Sequence, residues 1–322
     1  MRALQVTAPG QMEMVDADAP TARTDYAIVR PEIISICGSD LRTMYYGSAE
    51  HFPMQPGESA HEIIGVVEEI AYSSKIVFPL QRGERVLAVP SPHGGAAELF
   101  EAIPPHIFRV PDHPIDEMVL AQPLGTVLNA VQKLSPVHGS SVAVIGQGGI
   151  GLMFDILLRR MGARRIVGVE LSEARRAAGL RYGATHVVDG AADDAVAQVQ
   201  AAFDGGLADV VVDASGDQEA INLCAPLLRR GGEIMFFGSV KPPRFEFDFA
   251  SFHSKQPTVL FNSTPPAERR GMFEMAINLV ARGDVDLSGM ISHRFPLEQA
   301  PQAYDTAYHR SDDAVRVAIE VG

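Results

Sequence analysis

Two groups of residues in this chain have types and spacing that could do chemistry. The first is Ile36-Cys37-Gly38-Ser39-Asp40, with Gly57-Glu58-Ser59-Ala60-His61-Glu62 and Arg82-Gly83-Glu84-Arg85-Val86 downstream. A thiolate and an imidazole are metal donors, and a hydroxyl and carboxylates beside them could move protons or orient the donors. Each piece alone is weak, because a lone Cys is most often a small buried hydrophobe and a lone His a satisfied structural residue.

The second group stands on its own. Ser141-Val-Ala-Val-Ile-Gly146-Gln-Gly148-Gly149-Ile150-Gly151 sets a Gly-x-Gly-x-x-Gly run between an apolar strand and the helical Leu152-Met-Phe-Asp-Ile-Leu-Leu. Gly146 suits the tight turn, Gly148 a close approach to a pyrophosphate and Gly151 close packing of helix on strand, with the positive helix end facing the phosphates across Gly149 and Ile150. The next strand, Arg165-Ile-Val-Gly-Val-Glu170, ends in an acid about 20 residues further on, where a carboxylate meets ribose hydroxyls. Glu170 argues for NAD, since NADP would set a 2′-phosphate against that charge and Leu171-Ser172 follow in place of an Arg. Arg175 and Arg176 lie one helical turn on; stacking on adenine and a solvated helix face are both open, and the second is favoured for Arg176.

These groups need two kinds of scaffold. Residues 1 to about 110 read as short strands broken by turns, at Tyr26–Ile36, Glu62–Ile70, Arg85–Val89 and Ala97–Ala102. From about Pro123 strands and helices alternate, and Ser141–Ile145, Arg165–Glu170, Thr185–Val188, Asp209–Asp213 and Glu233–Phe237 predict a doubly wound parallel sheet. Helices are expected at Gly149–Met161, Glu173–Tyr182, Gln218–Arg230 and Glu298–His309, the last followed by a strand over Ala314–Val321 that folds back on the first domain. The expectation is an α/β chain with one domain over 1–123 and 263–322 and a dinucleotide domain over 124–262.

Composition excludes other classes. The 322 residues exceed the ~250 at which single cores usually split. With 40 acidic against 27 basic side chains the formal charge is -13, which repels nucleic acid and anionic membranes. No stretch approaches the ~20 apolar residues of a membrane span, and the opening residues carry no secretion signal, so a cytoplasmic protein is expected. The 2 cysteines, Cys37 and Cys224, cannot build a disulfide framework or a four-cysteine zinc site, and Cys224 falls at helical spacing among apolar neighbours, as a core residue would.

Taken in this order ahead of a dinucleotide motif, the first group resembles the zinc-containing medium-chain dehydrogenases, the family of alcohol, sorbitol, threonine and glucose dehydrogenases. The resemblance runs over nearly the whole chain to Ile291-Ser-His-Arg-Phe-Pro-Leu-Glu298 and Ala314-Val-Arg316. It implies a GroES-like, mainly β catalytic domain beside a Rossmann domain, with one catalytic zinc held by Cys37 and His61. Ser39 would receive the substrate proton, Asp40 would orient the histidine, and Glu62 would enter as a further, alternating ligand. Thr126, Ser215, Gly238, Asn262 and Arg316 would join the dinucleotide site. The activity implied is hydride transfer between NAD and a secondary alcohol or ketone, in a homodimer or homotetramer whose edge strand is Thr258–Asn262. Tyr45, Tyr46, His51, His93 and Phe100 come from loops that usually wall the substrate pocket, with ordinary loop or core residues the equal alternative. A zinc-free reductase of activated double bonds and a non-catalytic NAD-binding protein are the competing readings.

The chain departs from the family in four places. Ala60 replaces the usual Gly before the histidine, after an insertion-like Pro56-Gly57-Glu58-Ser59. The span from Val86 to Gly94 is too short for a structural zinc lobe. Gln122-Pro123-Leu124 stands where polyol dehydrogenases carry Glu-Pro-Leu, so Gln122 would offer a neutral amide oxygen and leave the zinc more electrophilic and less tightly held. Arg42 occupies the position of the relay histidine and stays protonated, so it cannot act as a base.

Overall fold

The computed structural model describes residues 1–71, 80–91, 94–240, 244–262 and 270–322. In chain order its strands are β1 (Arg2–Ala8), β2 (Gln11–Asp16), β3 (Tyr26–Ser35), β4 (Glu62–Ala71), β5 (Arg85–Ala88), β6 (Phe100–Ala102), β7 (Ile107–Arg109), β8 (Ser141–Ile145), β9 (Arg165–Glu170), β10 (His186–Asp189), β11 (Ala208–Asp213), β12 (Leu228–Phe236), β13 (Thr258–Phe261), β14 (Ile291–Pro296) and β15 (Arg316–Glu320). The helices are α1 (Gly38–Tyr46), α2 (Ile115–Val119), α3 (Ala121–Val131), α4 (Gly149–Arg160), α5 (Glu173–Tyr182), α6 (Ala195–Ala202), α7 (Gln218–Leu227), α8 (Phe249–Lys255), α9 (Arg270–Ala281) and α10 (Ala300–His309). The chain divides into two compact units, Met1–Gly125 with Thr264–Gly322, and Thr126–Ser263.

In the first unit a mixed sheet runs β14-β15-β3-β4-β5-β7, with β6 also on β3, and β1 and β2 form a separate hairpin. β15 enters antiparallel to β3, pairing Ala318 with Ser35, and so brings the C-terminal segment beside the strand that leads into Cys37. Helix α10 covers the sheet, with Tyr304 wholly buried among Ile34, Ile63 and Ile319 in one core.

The second unit is a six-stranded parallel sheet in the order β10-β9-β8-β11-β12-β13. Counted from its own first strand that order is 3-2-1-4-5-6, with the switch point between β8 and β11. All five residues of β8 are buried, because helices cover both faces of a parallel sheet and a central strand has no wet side. β13 is the edge strand and its Phe261 is 64% exposed.

Several elements differ from the sequence expectation. α7 stops at Leu227 instead of running to Arg230, because Leu228 is extended and pairs with Ala208 on β11. The strand expected over Ala97–Ala102 shortens to β6, with Ala97 making only an isolated bridge to Ala3. Phe100 is 3% exposed and sits opposite Val29, so it is a core residue and not a pocket wall. Cys224 is fully buried, as expected of a core residue, and burial pushes its thiol well above the ordinary range. Among the described residues no helix is long and apolar enough to cross a membrane.

Candidate active site

Helix α1 starts where it does because Cys37 is extended (φ -93°, ψ 148°) and Asp40, three residues on, returns a carboxylate oxygen to the Cys37 backbone N–H at 3.3 Å. The other Asp40 oxygen lies 3.0 Å from His61 Nδ1. One acid thus caps the helix that presents Cys37 and engages Nδ1 of His61, leaving Nε2 as the nitrogen free to ligate. Burial disfavours the charged His61 ring, but the neighbouring Asp40 and Cys37 outweigh it and raise its pKa well above the usual histidine range. Ser39 Oγ donates to Cys37 Sγ at 3.3 Å.

Cys37, His61 and Glu62 bring one donor atom each to a common point, all within 4.8 Å of one another. A thiolate, an imidazole and a carboxylate in that arrangement suit zinc. Glu62 does not stand free: its Oε2 accepts from Arg316 Nη1 at 2.9 Å, and the two side chains are 1% and 6% exposed. The same Nη1 donates to the Ile36 carbonyl at 2.9 Å, while Nη2 is buried without a hydrogen-bond partner. Nothing in the sequence pattern announces this pair, because the partners are far apart in the chain and meet only through the β15–β3 pairing. Gln122 is 3% exposed, in the first turn of α3.

The loop carrying His61 is pinned from several sides. Gly57 N–H donates to Leu4 O at 2.7 Å, Ala96 N–H to Ser59 O at 3.0 Å and Gly95 N–H to Ala60 O at 3.1 Å. A side chain on Gly94 would place its Cβ 2.1 Å from Ser59 O, so only glycine fits there. Tyr304 donates to Ser59 Oγ at 3.3 Å, tying the loop to α10, and burial together with the nearby Asp40 keeps that phenol neutral. Ala60 has φ +68°, the left-handed conformation in which a Cβ is disfavoured, and is 1% exposed. Ala60→Gly relieves about 1–2 kcal/mol of strain but gives back ~0.5–1 in backbone entropy and about 0.8 in methyl burial. Thermal unfolding should therefore place it within about 1 kcal/mol of wild type, whereas Ala60→Val, β-branched in a left-handed slot, should lose more than ~2 kcal/mol.

Among the other expected pocket residues, Tyr45, Tyr46 and His51 have partners of their own. Arg42 is exposed on α1. The Tyr45 ring stacks on Tyr308 at 3.6 Å, and Tyr46 shares a 2.9 Å hydroxyl contact with Tyr308. His51 Nε2 is exposed and 3.8 Å from Glu58. His93 lies outside the described residues.

In the second unit the glycine run forms the turn from β8 into α4. Gly146 has φ +91°, and a Cβ on Gly151 would sit 1.8 Å from Gly146 O, so both positions require glycine for the protein's own packing. At Gly148 a Cβ would meet nothing within 4 Å, and the turn is open there, as an approaching pyrophosphate needs. Glu170, 7% exposed, accepts from Gln147 N–H at 2.8 Å through Oε2, and from Leu171 N–H at 2.9 Å and Ser172 N–H at 3.1 Å through Oε1. Its charge is therefore held in place by three backbone donors. Ser215 lies beside Gly146 and turns its N–H and hydroxyl to Asp213, while Gly238 packs on Gly216 so closely that a Cβ would reach the Gly216 nitrogen at 2.1 Å. Asn262 donates to Thr126 O at 3.1 Å and accepts from Asn129 at 2.7 Å, so its amide is committed within the unit. Arg175 is buried in the first turn of α5, and Arg176 is not simply solvated: it donates to the Glu170 and Leu171 carbonyls.

Comparison with known proteins identifies the family of both parts of the chain. Residues 23–106 match the alcohol dehydrogenase GroES-like domain family, and residues 149–282 match the zinc-binding dehydrogenase family. The chain is 26% identical to L-galactonate-5-dehydrogenase of Escherichia coli over 333 aligned positions, covering 95% of this chain and 94% of that protein. It is 24% identical to human sorbitol dehydrogenase over 343 positions, covering 94% and 91%. Among solved structures, zinc dependent alcohol dehydrogenase 2 from Streptococcus pneumonia shares the fold with a TM-score of 0.86 at 24% identity, over 100% of this chain and 98% of that one. A zinc-binding dehydrogenase from Sinorhizobium meliloti, solved bound to NADP, shares it with a TM-score of 0.82 at 24% identity, over 99% and 98%. With a Rossmann sheet behind its glycine turn and Cys37, His61 and Glu62 converging in the GroES-like part, the chain belongs to the zinc-type medium-chain alcohol and polyol dehydrogenases, enzymes that act on CH–OH groups.

Proposed function

We propose that the protein interconverts a secondary alcohol of a polyol or sugar acid with the matching ketone, using NAD and one zinc ion per chain. The observation that carries this reading is the convergence of Cys37, His61 and Glu62 on one point. A zinc-free reductase or a mere dinucleotide binder would leave that donor set, and the Asp40 contact that orients it, without a task. The similarity to L-galactonate-5-dehydrogenase and sorbitol dehydrogenase supports a hydroxylated carbon chain as substrate.

Cys37 and His61 are the constant ligands, with the Gln122 amide oxygen and Glu62 completing the shell. Zinc bound there would supply the Lewis acidity that lets a hydroxyl ionise near neutral pH, and a nicotinamide would supply the hydride acceptor. Asp40 keeps His61 in the ligating tautomer, Ser39 takes the hydroxyl proton and passes it on, and Arg316 balances the charge of Glu62. Arg42 is exposed and a guanidinium is no base, so the proton leaves to water by way of Ser39. The dinucleotide would be held over Gly146, Gly148, Gly149, Ile150 and Gly151, with Glu170 at its ribose and Arg175, Ser215, Gly238, Thr126 and Asn262 as the further residues of its site. The protein works in the cytoplasm as a homodimer or homotetramer paired along β13, whose Val259 and Phe261 are 37% and 64% exposed. A solution mass equal to one chain would rule out that pairing.

The test is a panel of polyols, sugar acids and their ketones, assayed with NAD and with NADP. A phosphate charge near 4 Å from Glu170 costs about 4 kcal/mol at an effective dielectric near 20, so kcat/KM should favour NAD by on the order of a hundredfold or more. Glu170→Ser should shrink that ratio at least about tenfold, the preference resting on this one charge. Equal efficiency with NADP in the wild type would refute the cofactor assignment, and no turnover with any hydroxylated substrate would refute the substrate class.

A further inference from the structure

Helix α4 buries an acid that the reaction does not use. Asp155 is 0% exposed between Phe154 and Leu157, and neither of its carboxyl oxygens has a hydrogen-bond partner. Facing it is the side chain of Gln147, the second residue of the glycine run, which is also 0% exposed. The Gln147 Nε2 donates to Val144 O at 3.3 Å, but its Oε1 is buried without a partner. Two glycines make room for this amide. A Cβ on Gly168 of β9 would lie 2.7 Å from Gln147 Cδ, and one on Gly179 of α5 would lie 2.4 Å from Gln147 Oε1. Three unpartnered buried oxygens in one place would be costly, and a single arrangement satisfies them all. A protonated Asp155 turned to this amide would donate its O–H to Gln147 Oε1 and accept the second Nε2 proton on its carbonyl oxygen, as a carboxylic acid pairs with an amide.

We propose that Asp155 and Gln147 form a buried acid–amide pair that positions the glycine turn, and through it Glu170, for the dinucleotide. The connection to Glu170 is direct, since the Gln147 backbone N–H is the donor to Glu170 Oε2. Fixing the Gln147 side chain between β8, β9 and α5 therefore fixes the turn and the ribose-binding carboxylate relative to each other. Burial pushes the Asp155 carboxyl well above the usual carboxylate range, opposed only by the Gln147 amide, so the acid is neutral as the pair requires. Asp155 and Gln147 are positioning residues, touching neither substrate nor reacting atoms.

The proposal rests on the glycine turn being the dinucleotide site, and two readouts on the whole enzyme keep the two ideas apart. The infrared difference spectrum between wild type and Asp155→Asn at neutral pH should contain the carbonyl band of a protonated carboxylic acid; a carboxylate pair of bands alone would overturn the pairing whatever the dinucleotide does. NADH titration should show Asp155→Asn binding within about twofold of wild type, because an amide also pairs with Gln147 through two hydrogen bonds, whereas Asp155→Leu and Gln147→Leu should each bind about tenfold more weakly. In both Leu variants kcat at saturating dinucleotide and KM for the alcohol should stay unchanged, and the double Leu variant should be no worse than either single one. Additive losses, or failure of Asn to preserve binding, would overturn the pair, and Asp155→Asn with its infrared signature decides the matter if the Leu variants do not fold. A wild type that binds no NADH while keeping the acid band would refute the glycine-turn reading and leave the pair standing.

Discussion

Cys37→Ser and His61→Ala should each strip the enzyme of zinc and lower kcat/KM by at least about a thousandfold, while NADH binding and the melting temperature change little. The size follows from the several kcal/mol of charge stabilisation that a Lewis acid supplies, since ~4 kcal/mol corresponds to about 10³ in rate. The selectivity follows from the fold, because both ligands lie in the first compact unit and the glycine turn in the second. Asp40→Asn should cost less, about 10–100-fold, since it removes the group that orients His61 and leaves the donors themselves. Gln122→Ala should weaken zinc retention without abolishing it, a neutral amide being the poorest donor of the set. Metal content by elemental analysis, alcohol-dependent NADH formation and NADH fluorescence titration read these effects separately. Full activity in a zinc-free Cys37 or His61 variant would refute the mechanism.

The second large effect concerns Arg316. Its guanidinium and the Glu62 carboxylate form an ion pair that is almost wholly buried, and removing one partner leaves a charge with no water to solvate it. Arg316→Met should lower unfolding stability by about 3–5 kcal/mol in urea denaturation, more than any surface ion pair of this protein could. Adding Glu62→Gln to the same chain should recover a large part of the loss, because the stranded charge disappears with it. If Arg316→Met lies within about 1 kcal/mol of wild type, the pair contributes no net stability and Glu62 is held by other groups.

Much of the scaffold was legible because strand periodicity and composition are local properties. The β8, β9 and β11 runs read as buried parallel strands from their apolar residues alone, and the turn after β8 reads as a dinucleotide turn because Gly146 and Gly151 are demanded by backbone conformation and contact. Helix α1 was far less visible. Its nine residues begin with glycine and serine and offer only the short apolar stripe Leu41, Met44 and Tyr45, and its start is set by Asp40 returning to the Cys37 N–H, a signal carried by one residue pair. At Phe100 the sequence left a pocket wall and a core residue equally open, and only the pairing with Val29 turns the ring into the core.

By itself the sequence determined the order of domains, the class of cofactor turn and the donor types near Cys37 and His61, since these depend on residue type and near spacing. Tertiary structure alone decided that Glu62 is neutralised by Arg316, that Asp40 serves Cys37 and His61 at once, and that Gln147 is received by Gly168 and Gly179. Apart from the local contact of Asp40 with Cys37, these join residues distant in the chain, and whether a buried charge or amide is satisfied depends on which group the fold brings opposite it.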